Sequence, residues 1–367
     1  MRIEDIINSL EKIAPLFLQE DYDNAGLLTG NFNWDCTGMI ISLDVTEAVI
    51  DEAKEKKCNL IIAHHPIIFQ GLKKITGKNY VERIIISAIK NDIAIYAIHT
   101  NLDNVKMGVN QRIAEVLNLQ DVKLLQPKKS LLEKLVTFAP VDKAEQIRLA
   151  LFNAGAGNLG KYSECSFNSE GTGTFKAGEG ADPFVGEMGK RHEEKEVKIE
   201  VIFPVYLEQQ LITALTKAHP YEEVAYDIFA LGNYSTLAGS GVIGHLTDPL
   251  SETQLLQEIR SAFGLKSIRH SGFLGKQVKK IALCGGAGIF LLPAAISSQA
   301  DVFITSDIKY HDFFDADGKI LLADIGHYES EQFTIDLLFD ILSKKFPNFA
   351  VLKTGVNTNP VNYFVAQ

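Results

Sequence analysis

Several features that would place a chain of 367 residues in a special class are missing from this one. Its four cysteines (Cys36, Cys58, Cys165, Cys284) include no C-x-x-C pair. That spacing argues against a disulfide framework or a cysteine zinc knuckle and reads as reduced thiols, mostly packed, in a cytosolic protein. Positive charge is also short: 36 Lys and Arg stand against 46 Asp and Glu, a formal charge of −10. A dominant nucleic-acid-binding surface needs clustered cations and is not expected. No apolar run approaches the roughly 20 residues that span a bilayer, so no membrane partner is expected. The opening "MRIEDIINSLEKIAP" has no basic stretch followed by an apolar core. It reads as an amphipathic helix with Ile3, Ile6, Ile7 and Leu10 on one face, not as a signal peptide. Low-complexity tracts are absent, and 46% hydrophobic with 22% charged residues is the balance of a globular protein. The expected location is the cytoplasm, and at roughly 100–200 residues per domain the length predicts two or three domains.

What is present alternates. "GMIISLDV" reads as a strand, "TEAVIDEAKEKKC" as a helix with Thr46 as N-cap, and "NLIIAHHP" as a continuously apolar, buried strand. "YVERIIISAIKND", "IAIYAIHTNLDN" and "GVNQRIAEVLNL" continue as helix, strand and helix. This is the βαβ pattern of a parallel sheet covered by helices. The C-terminal third repeats the plan: "KKIALCGGAG", "ADVFITSDIKYHD" and "KILLADIG" as strands, the last feeding one long helix "HYESEQFTIDLLFDILSKKF". The repetition predicts a weak internal duplication, two similar α/β halves facing each other across a cleft. Between them the order is βαββαβ, the ferredoxin-like α+β pattern, expected as an insertion. The predicted domains are 1–127, 128–236 and 237–367.

Glycine-rich matches invite over-reading. "GAGNLG" at 155–160 fits G-x-G-x-x-G but follows a helix and opens none, so the dinucleotide mechanics are missing. "CGGAG" at 284–288 follows a strand and precedes a helix, so it is either an anion-binding nest or a tight structural turn.

Metal-capable side chains gather at strand ends. His64 and His65 end the second strand, His99 and Asp103 the third; Asp307, Tyr310 and His311 follow the corresponding C-terminal strand, and His327 and Glu331 follow "ILLADIG". The carboxyl ends of parallel strands form the crevice where ligands bind. A lone histidine in a strand is ordinarily a hydrogen-bonded core residue, and His99 is read as that or as a support to a site. A doubled histidine is harder to bury, because four ring nitrogens need partners. Pro66 lets the chain leave the sheet there, so both rings can reach one pocket. Glu331 lies four residues after His327, one helical turn along the same face. Three imidazoles with Asp103 and Glu331 suit zinc, iron or manganese. Five ligands exceed one tetrahedral ion, whereas two ions roughly 3.5–4 Å apart with a bridging carboxylate would use them all.

The segments "AHHP", "HTNLD", "SD-x-KYHD" and "D-x-GHYESE" together resemble the motifs of the dinuclear-metal-centre family named NGG-one interacting factor three, also named GTP cyclohydrolase 1 type 2. "DYDNAGL" is similar to that family's "WDNVGL" loop, with Tyr22 in place of tryptophan. The resemblance covers both outer segments, and the middle segment resembles the PII-like domain of some bacterial members. It implies that His64 and Asp103 hold one metal, His65 and His327 the other, and that Glu331 bridges them. It also implies a homo-oligomer, a toroidal hexamer with metal sites facing an inner cavity.

The expected function is that of a metal-dependent hydrolase with two divalent ions, zinc first, then iron or manganese. Their bound hydroxide would attack a small-molecule substrate, a purine nucleotide such as GTP by the family's name. His99 or His311 would move protons, and Tyr310 or Lys309 would contact an anionic substrate. The alternatives are a two-metal phosphoesterase and, from another class, a non-catalytic metal-binding scaffold or sensor ring.

Overall fold

The computed structural model describes residues 1–364. The chain divides into two compact units, one of Met1–Pro127 with Thr236 onward and one of Lys128–Ser235. The first begins with α1 (Ile3–Glu11), β1 (Gly26–Thr29), β2 (Met39–Ser42), α2 (Glu47–Glu55), β3 (Leu60–Ala63), α3 (Tyr80–Lys90), β4 (Ala94–Ala97), α4 (Thr100–Asp103), α5 (Val109–Val116) and β5 (Gln120–Lys129). The second unit comprises β6 (Leu132–Pro140), α6 (Ala144–Asn153), β7 (Ser166–Lys176), β8 (Arg191–Pro204), α7 (Glu208–Ala218) and β9 (Tyr226–Leu231). The chain then returns through β10 (Tyr234–Ser251), α8 (Glu252–Phe263), β11 (Arg269–His270), β12 (Gln277–Leu283), α9 (Leu292–Ser297), β13 (Val302–Thr305), β14 (Leu321–Asp324), α10 (His327–Glu331), α11 (Thr334–Lys345) and β15 (Val351–Lys353).

The first unit is mixed α/β with two sheets. One has the order β1-β4-β3-β2-β15, the other β11-β14-β13-β12-β10-β5. In each, three neighbouring strands run parallel, β2-β3-β4 and β12-β13-β14. These six strands are short, and every residue of β2, β3, β4, β13 and β14 is buried. That is why they read as continuous apolar runs without alternation. Isoleucines dominate the first core, with Ile40, Ile50, Ile61, Ile84, Ile85 and Ile95 almost fully enclosed. Each such side chain contributes about 1.5–3 kcal/mol by leaving water. Thr46 caps α2 by accepting from the Val49 amide, as its position before the apolar period predicts.

Two strands cross the division of this unit at 127 and 237. β5 belongs to the sheet built from C-terminal strands, and β15 pairs with β2 in the N-terminal sheet. The two sheets are therefore tied by reciprocal strands, which short pieces such as "VLK" do not announce. The expected strand "IAIYAIHTNLDN" stops at Ala97, and Thr100–Asp103 turns into α4. The expected long helix after His327 is broken at Gln332–Phe333 into α10 and α11. At that break Gln332 donates to the carbonyls of Phe263 and Glu329, and the Phe333 ring meets Phe263 edge-on at 5.4 Å.

The second unit is a four-stranded antiparallel sheet, β7-β8-β6-β9, with α6 and α7 packed through Leu135, Ile147, Leu151, Ile199, Phe203 and Leu215. "GAGNLG" is the connection leaving α6, and the Gly157 amide is taken by the Ile202 carbonyl.

One buried acid shapes the segment before α3. The Glu82 carboxylate accepts from the Thr76 amide at 2.7 Å, the Thr76 hydroxyl at 2.9 Å, the Lys78 amide at 3.0 Å and Asn79 Nδ2 at 3.1 Å. The backbone donors hold its pKa down at about 2, against 4.5 ordinarily. A depressed carboxylate adds stability that is complete above the unfolded value and fades as pH falls through the folded one. Thr76 and Lys78 amides should therefore exchange several-fold faster in Glu82→Gln than in the parent near neutral pH. The ratio of rates should shrink from about pH 4.5 downward and approach unity near about pH 2. Hydrogen exchange across a pH series measures it, and a ratio independent of pH would refute the assignment.

Candidate metal centre

Register brings the site together. Ser42 pairs with Ala63 and Ala63 with Ala97, so Asp44, His65 and His99 each stand two residues beyond the last paired position of β2, β3 and β4. In the other sheet Thr305 pairs with Asp324, so Asp307 stands level with Gly326, next to His327. The carboxyl ends of the parallel strands of each sheet thus carry these groups to its rim. The chain leaves β3 with the His64 and His65 amides still bonded to the Ser42 and Leu43 carbonyls, and Pro66 then takes it away. The two rings lie 5.0 Å apart, tilted by 46°.

Each ring is fixed by the nitrogen facing away from the cluster. His64 Nδ1–H donates to the Ile98 carbonyl at 2.8 Å. His65 Nδ1–H donates to Asp44 Oδ1 at 2.7 Å, His99 Nδ1–H to Asp23 Oδ1 at 2.8 Å, and His327 Nδ1–H to Asp307 Oδ2 at 2.5 Å. Such contacts set the tautomer and aim the Nε2 lone pair. His65 and His327 direct Nε2 at one oxygen of Glu331, Oε2, from 2.9 and 3.0 Å, and their two Nε2 atoms are 3.3 Å apart. His64 directs Nε2 at the other side, 3.9 Å from Glu331 Oε1 and 3.6 Å from Asp103 Oδ1. His64 is 0% exposed, and its Nε2 has no hydrogen-bond partner among the described residues. A buried lone pair facing two carboxylate oxygens just beyond hydrogen-bond reach fits a cation between them.

Two triads therefore share Glu331: His64, Asp103 and Glu331, and His65, His327 and Glu331. A third grouping adds His99 to His64 and His65. These buried His, Asp and Glu groups could hold a metal ion. The electrostatics agree. Burial alone would raise Glu331, but hydrogen bonds from His327 and His65, with the His64 ring close by, hold it well below the usual carboxylate range. Burial and the neighbouring Glu331 charge push Asp103 well up. Burial pulls His65 down, yet Asp44 and Glu331 outweigh it and raise the ring to about 9; Asp307 and Glu331 likewise raise His327 to about 11. His64, held by a neutral carbonyl in the interior, stays below its ordinary value.

The glycine turn after β12 is structural. Its Gly285, Gly286 and Gly288 amides bond to Asn110 Oδ1, Ser330 Oγ and Thr305 Oγ1, which leaves those amides nothing to offer an anion. Its role is space: Gly286 has φ +62°, and a Cβ there would sit 2.3 Å from Glu331 Oε1.

The cluster lines an open cavity of about 1450 Å³, walled also by Tyr22, Phe69, Cys284, Phe290 and the C-terminal residues Thr358–Val361. Tyr310 and His311 do not join it. Both sit on a 3₁₀ turn, Tyr310–Ala316, that carries them outward beside Phe314; Tyr310 is 72% exposed, and neither lines the cavity, nor does Lys309. The strand that would have aimed them inward ends at Thr305. Sequence reasoning passed over Asp23 and Asp44. Asp44 was detectable as the acid at the end of the neighbouring parallel strand. Asp23 sits in "DYDNAGL", where it also accepts from the Thr100 amide and hydroxyl and so starts α4.

Against known proteins, the Duf34/NIF3 (NGG1p interacting factor 3) family matches residues 1–360. The chain is 40% identical over 366 residues, 98% of both chains, to the GTP cyclohydrolase 1 type 2 homolog of Halalkalibacterium halodurans. It is 39% identical, with the same coverage, to the like-named protein of Bacillus subtilis. Among solved structures, a Bacillus cereus protein related to NIF3 superposes with a TM-score of 0.81 at 38% identity, covering 99% of both chains. A Staphylococcus aureus protein superposes with 0.82 at 31% identity and the same coverage. Register, converging histidines and these likenesses agree, and the chain belongs to the Duf34/NIF3 family.

Proposed function

We propose that this chain is a dinuclear metal-dependent hydrolase. In this reading His64 and Asp103 would hold one divalent ion, His65 and His327 the other, and Glu331 would serve both. The observation that carries this reading is the division of the Glu331 carboxylate, with Oε1 toward His64 and Oε2 toward His65 and His327. Nitrogen and carboxylate donors in this number suit zinc first, and iron or manganese next. Bound ions would supply a coordinated water acidified to about pKa 7 and would polarise the bond under attack.

The chain's own residues do the rest. Asp44, Asp307 and the Ile98 carbonyl orient the rings. His99, anchored by Asp23 and T-stacked on both His64 and His65 at 5.3 Å, is placed to carry a proton at Nε2. Tyr22 and Phe69 offer aromatic walls to a planar base. The substrate class is a nucleotide, GTP by the name its relatives carry.

A non-catalytic metal scaffold or sensor is the second reading, and one observation favours it. The cavity's two arginines, Arg83 and Arg269, are engaged with Glu47 and Asp324, so among the described cavity-lining residues no unpaired Lys or Arg awaits a triphosphate. The Lys128–Ser235 unit we read as a ferredoxin-like, PII-like insertion between two similar α/β halves. The working assembly we read as a cytoplasmic homo-oligomer, a toroidal hexamer.

Elemental analysis should find two divalent ions per parent chain and at most one in His65→Ala, with folding retained and formate release from GTP lost. Ions without turnover of any nucleotide would favour the scaffold, and a parent chain that takes up no zinc, iron or manganese would sink the proposal. Gly286→Ala should fold, losing about 1–2 kcal/mol to the left-handed backbone, yet fail to load ions because its methyl displaces Glu331. Calorimetry with metal titration checks both parts.

A further inference from the structure

We infer that Thr358, in the irregular segment after β15, is a positioning residue for the centre, acting through Asp44 on His65; the inference rests on the metal-binding reading above. The chain of contacts is direct. Thr358 Oγ1–H donates to Asp44 Oδ2 at 2.8 Å, and Asp44 Oδ1 accepts from His65 Nδ1–H at 2.7 Å. His65 Nε2 then faces Glu331 Oε2 at 2.9 Å. Asp44 has two oxygens and two demands, and Thr358 occupies the oxygen that His65 does not use. Without that donor the carboxylate is free to rotate about its terminal bond, a soft, roughly two-fold torsion, and the imidazole loses its fixed tautomer.

The segment is built to deliver this hydroxyl. It has no regular structure after Lys353, yet polar contacts pin it on both sides of Thr358. Thr354 Oγ1–H and the Gly355 amide donate to Glu52 on α2, and Asn359 Nδ2 donates to Glu329 Oε1 on α10 at 3.0 Å. Thr358 itself is buried, and it lines the cavity together with Asn359, Pro360 and Val361. The three side-chain acceptors that hold it are acids, Glu52 on α2, Asp44 just beyond β2 and Glu329 on α10, and the Thr354 amide bonds to the Ile41 carbonyl. The C-terminal segment therefore spans from the N-terminal sheet's helix to the helix that carries His327 and Glu331. His64 uses a backbone carbonyl and His327 uses Asp307, whereas His65 draws through Asp44 on Thr358.

Contacts behind metal-bound histidines change affinity by about 10–100-fold when removed. The test is Thr358→Val, which keeps the shape and removes the donor, with Thr358→Ser restoring it and Asp44→Asn as a second break in the same relay. Protein loaded with Co²⁺ is followed by its visible absorption and titrated with a competing chelator. The inference predicts that one of the two ions is lost at about 10–100-fold lower chelator in Thr358→Val and Asp44→Asn, while Thr358→Ser behaves as the parent and all variants keep the parent's circular dichroism. It is overturned if Thr358→Val retains both ions at parental affinity, or if Thr358→Ser fails as badly as valine, which would mark a packing role. Parent protein that binds no Co²⁺ would defeat the metal-binding reading as well, so the two failures are told apart.

Discussion

A carboxylate in the interior is the constraint from which the centre is built. Glu331 is almost fully buried, and an ionised carboxylate taken from water costs several kcal/mol unless its charge is met. Three imidazoles meet it, two on one oxygen and one on the other side. The demand propagates outward. Gly286 has no room for a side chain because Glu331 lies where one would stand, and at Gly285 the obstacle is Ile113. Ser330, next to Glu331, accepts from the Gly286 amide and donates to the His327 carbonyl, so helix start and glycine turn are locked together. The break between α10 and α11 keeps the helix carrying His327 and Glu331 short, with its own packing partners.

Charge balance runs through the same contacts. With protons as the only cations, His65 and His327 stay charged against Glu331, Asp44 and Asp307, while Asp103 is pushed toward neutrality. Divalent cations at the two triads would meet the same negative charge and would satisfy the His64 lone pair that protons leave alone. The outer acids have a second role, since a carboxylate behind an imidazole strengthens it as a donor. Asp23, Asp44 and Asp307 belong to this group, so part of the chain's net acidity serves to orient imidazoles.

How much of this was legible follows from what local pattern can carry. The buried parallel strands were legible because each carries a run of apolar residues, and the candidates His64, His65, Asp103, His327 and Glu331 because they follow those strands or lie in the short helix after them. The four-residue strand β1 hid inside "DYDNAGLLTG", and β15 hid because three residues have no periodicity to read. Asp103 lies near His64 and Glu331 but on a different element from the strand its sequence suggests, since its loop is turned into a helix by Asp23, eighty positions upstream. Tyr310 and His311 were misplaced for the converse reason: "SDIKYHD" continues a strand on paper, whereas the backbone takes a positive φ at Asp307 and then winds into a 3₁₀ turn. That turn at Asp307 is itself functional in form, because it brings the side chain back onto His327. A short polar residue that tolerates the left-handed region, directly after an apolar strand, was the available clue.

The division of labour between regular and irregular backbone follows. Parallel strands end level with one another, so the sheets can place Asp44, His65 and His99 on one rim and Asp307 beside His327 on the other, with a precision that no loop would supply alone. What a strand cannot do is aim two consecutive side chains at the same point, since neighbours alternate. The aiming is therefore left to segments that have left the sheet: His65 before Pro66, Asp23 before β1, Asp307 in its left-handed turn, and the C-terminal residues beyond β15. Each of these side chains is aimed by side-chain hydrogen bonds, even at His65, whose amide still bonds to the Leu43 carbonyl, and each contributes a group whose useful nitrogen or oxygen is defined only once the far side of the cluster is in place. No single one of these loops is satisfied until its acidic or imidazole counterpart from another part of the chain is in place.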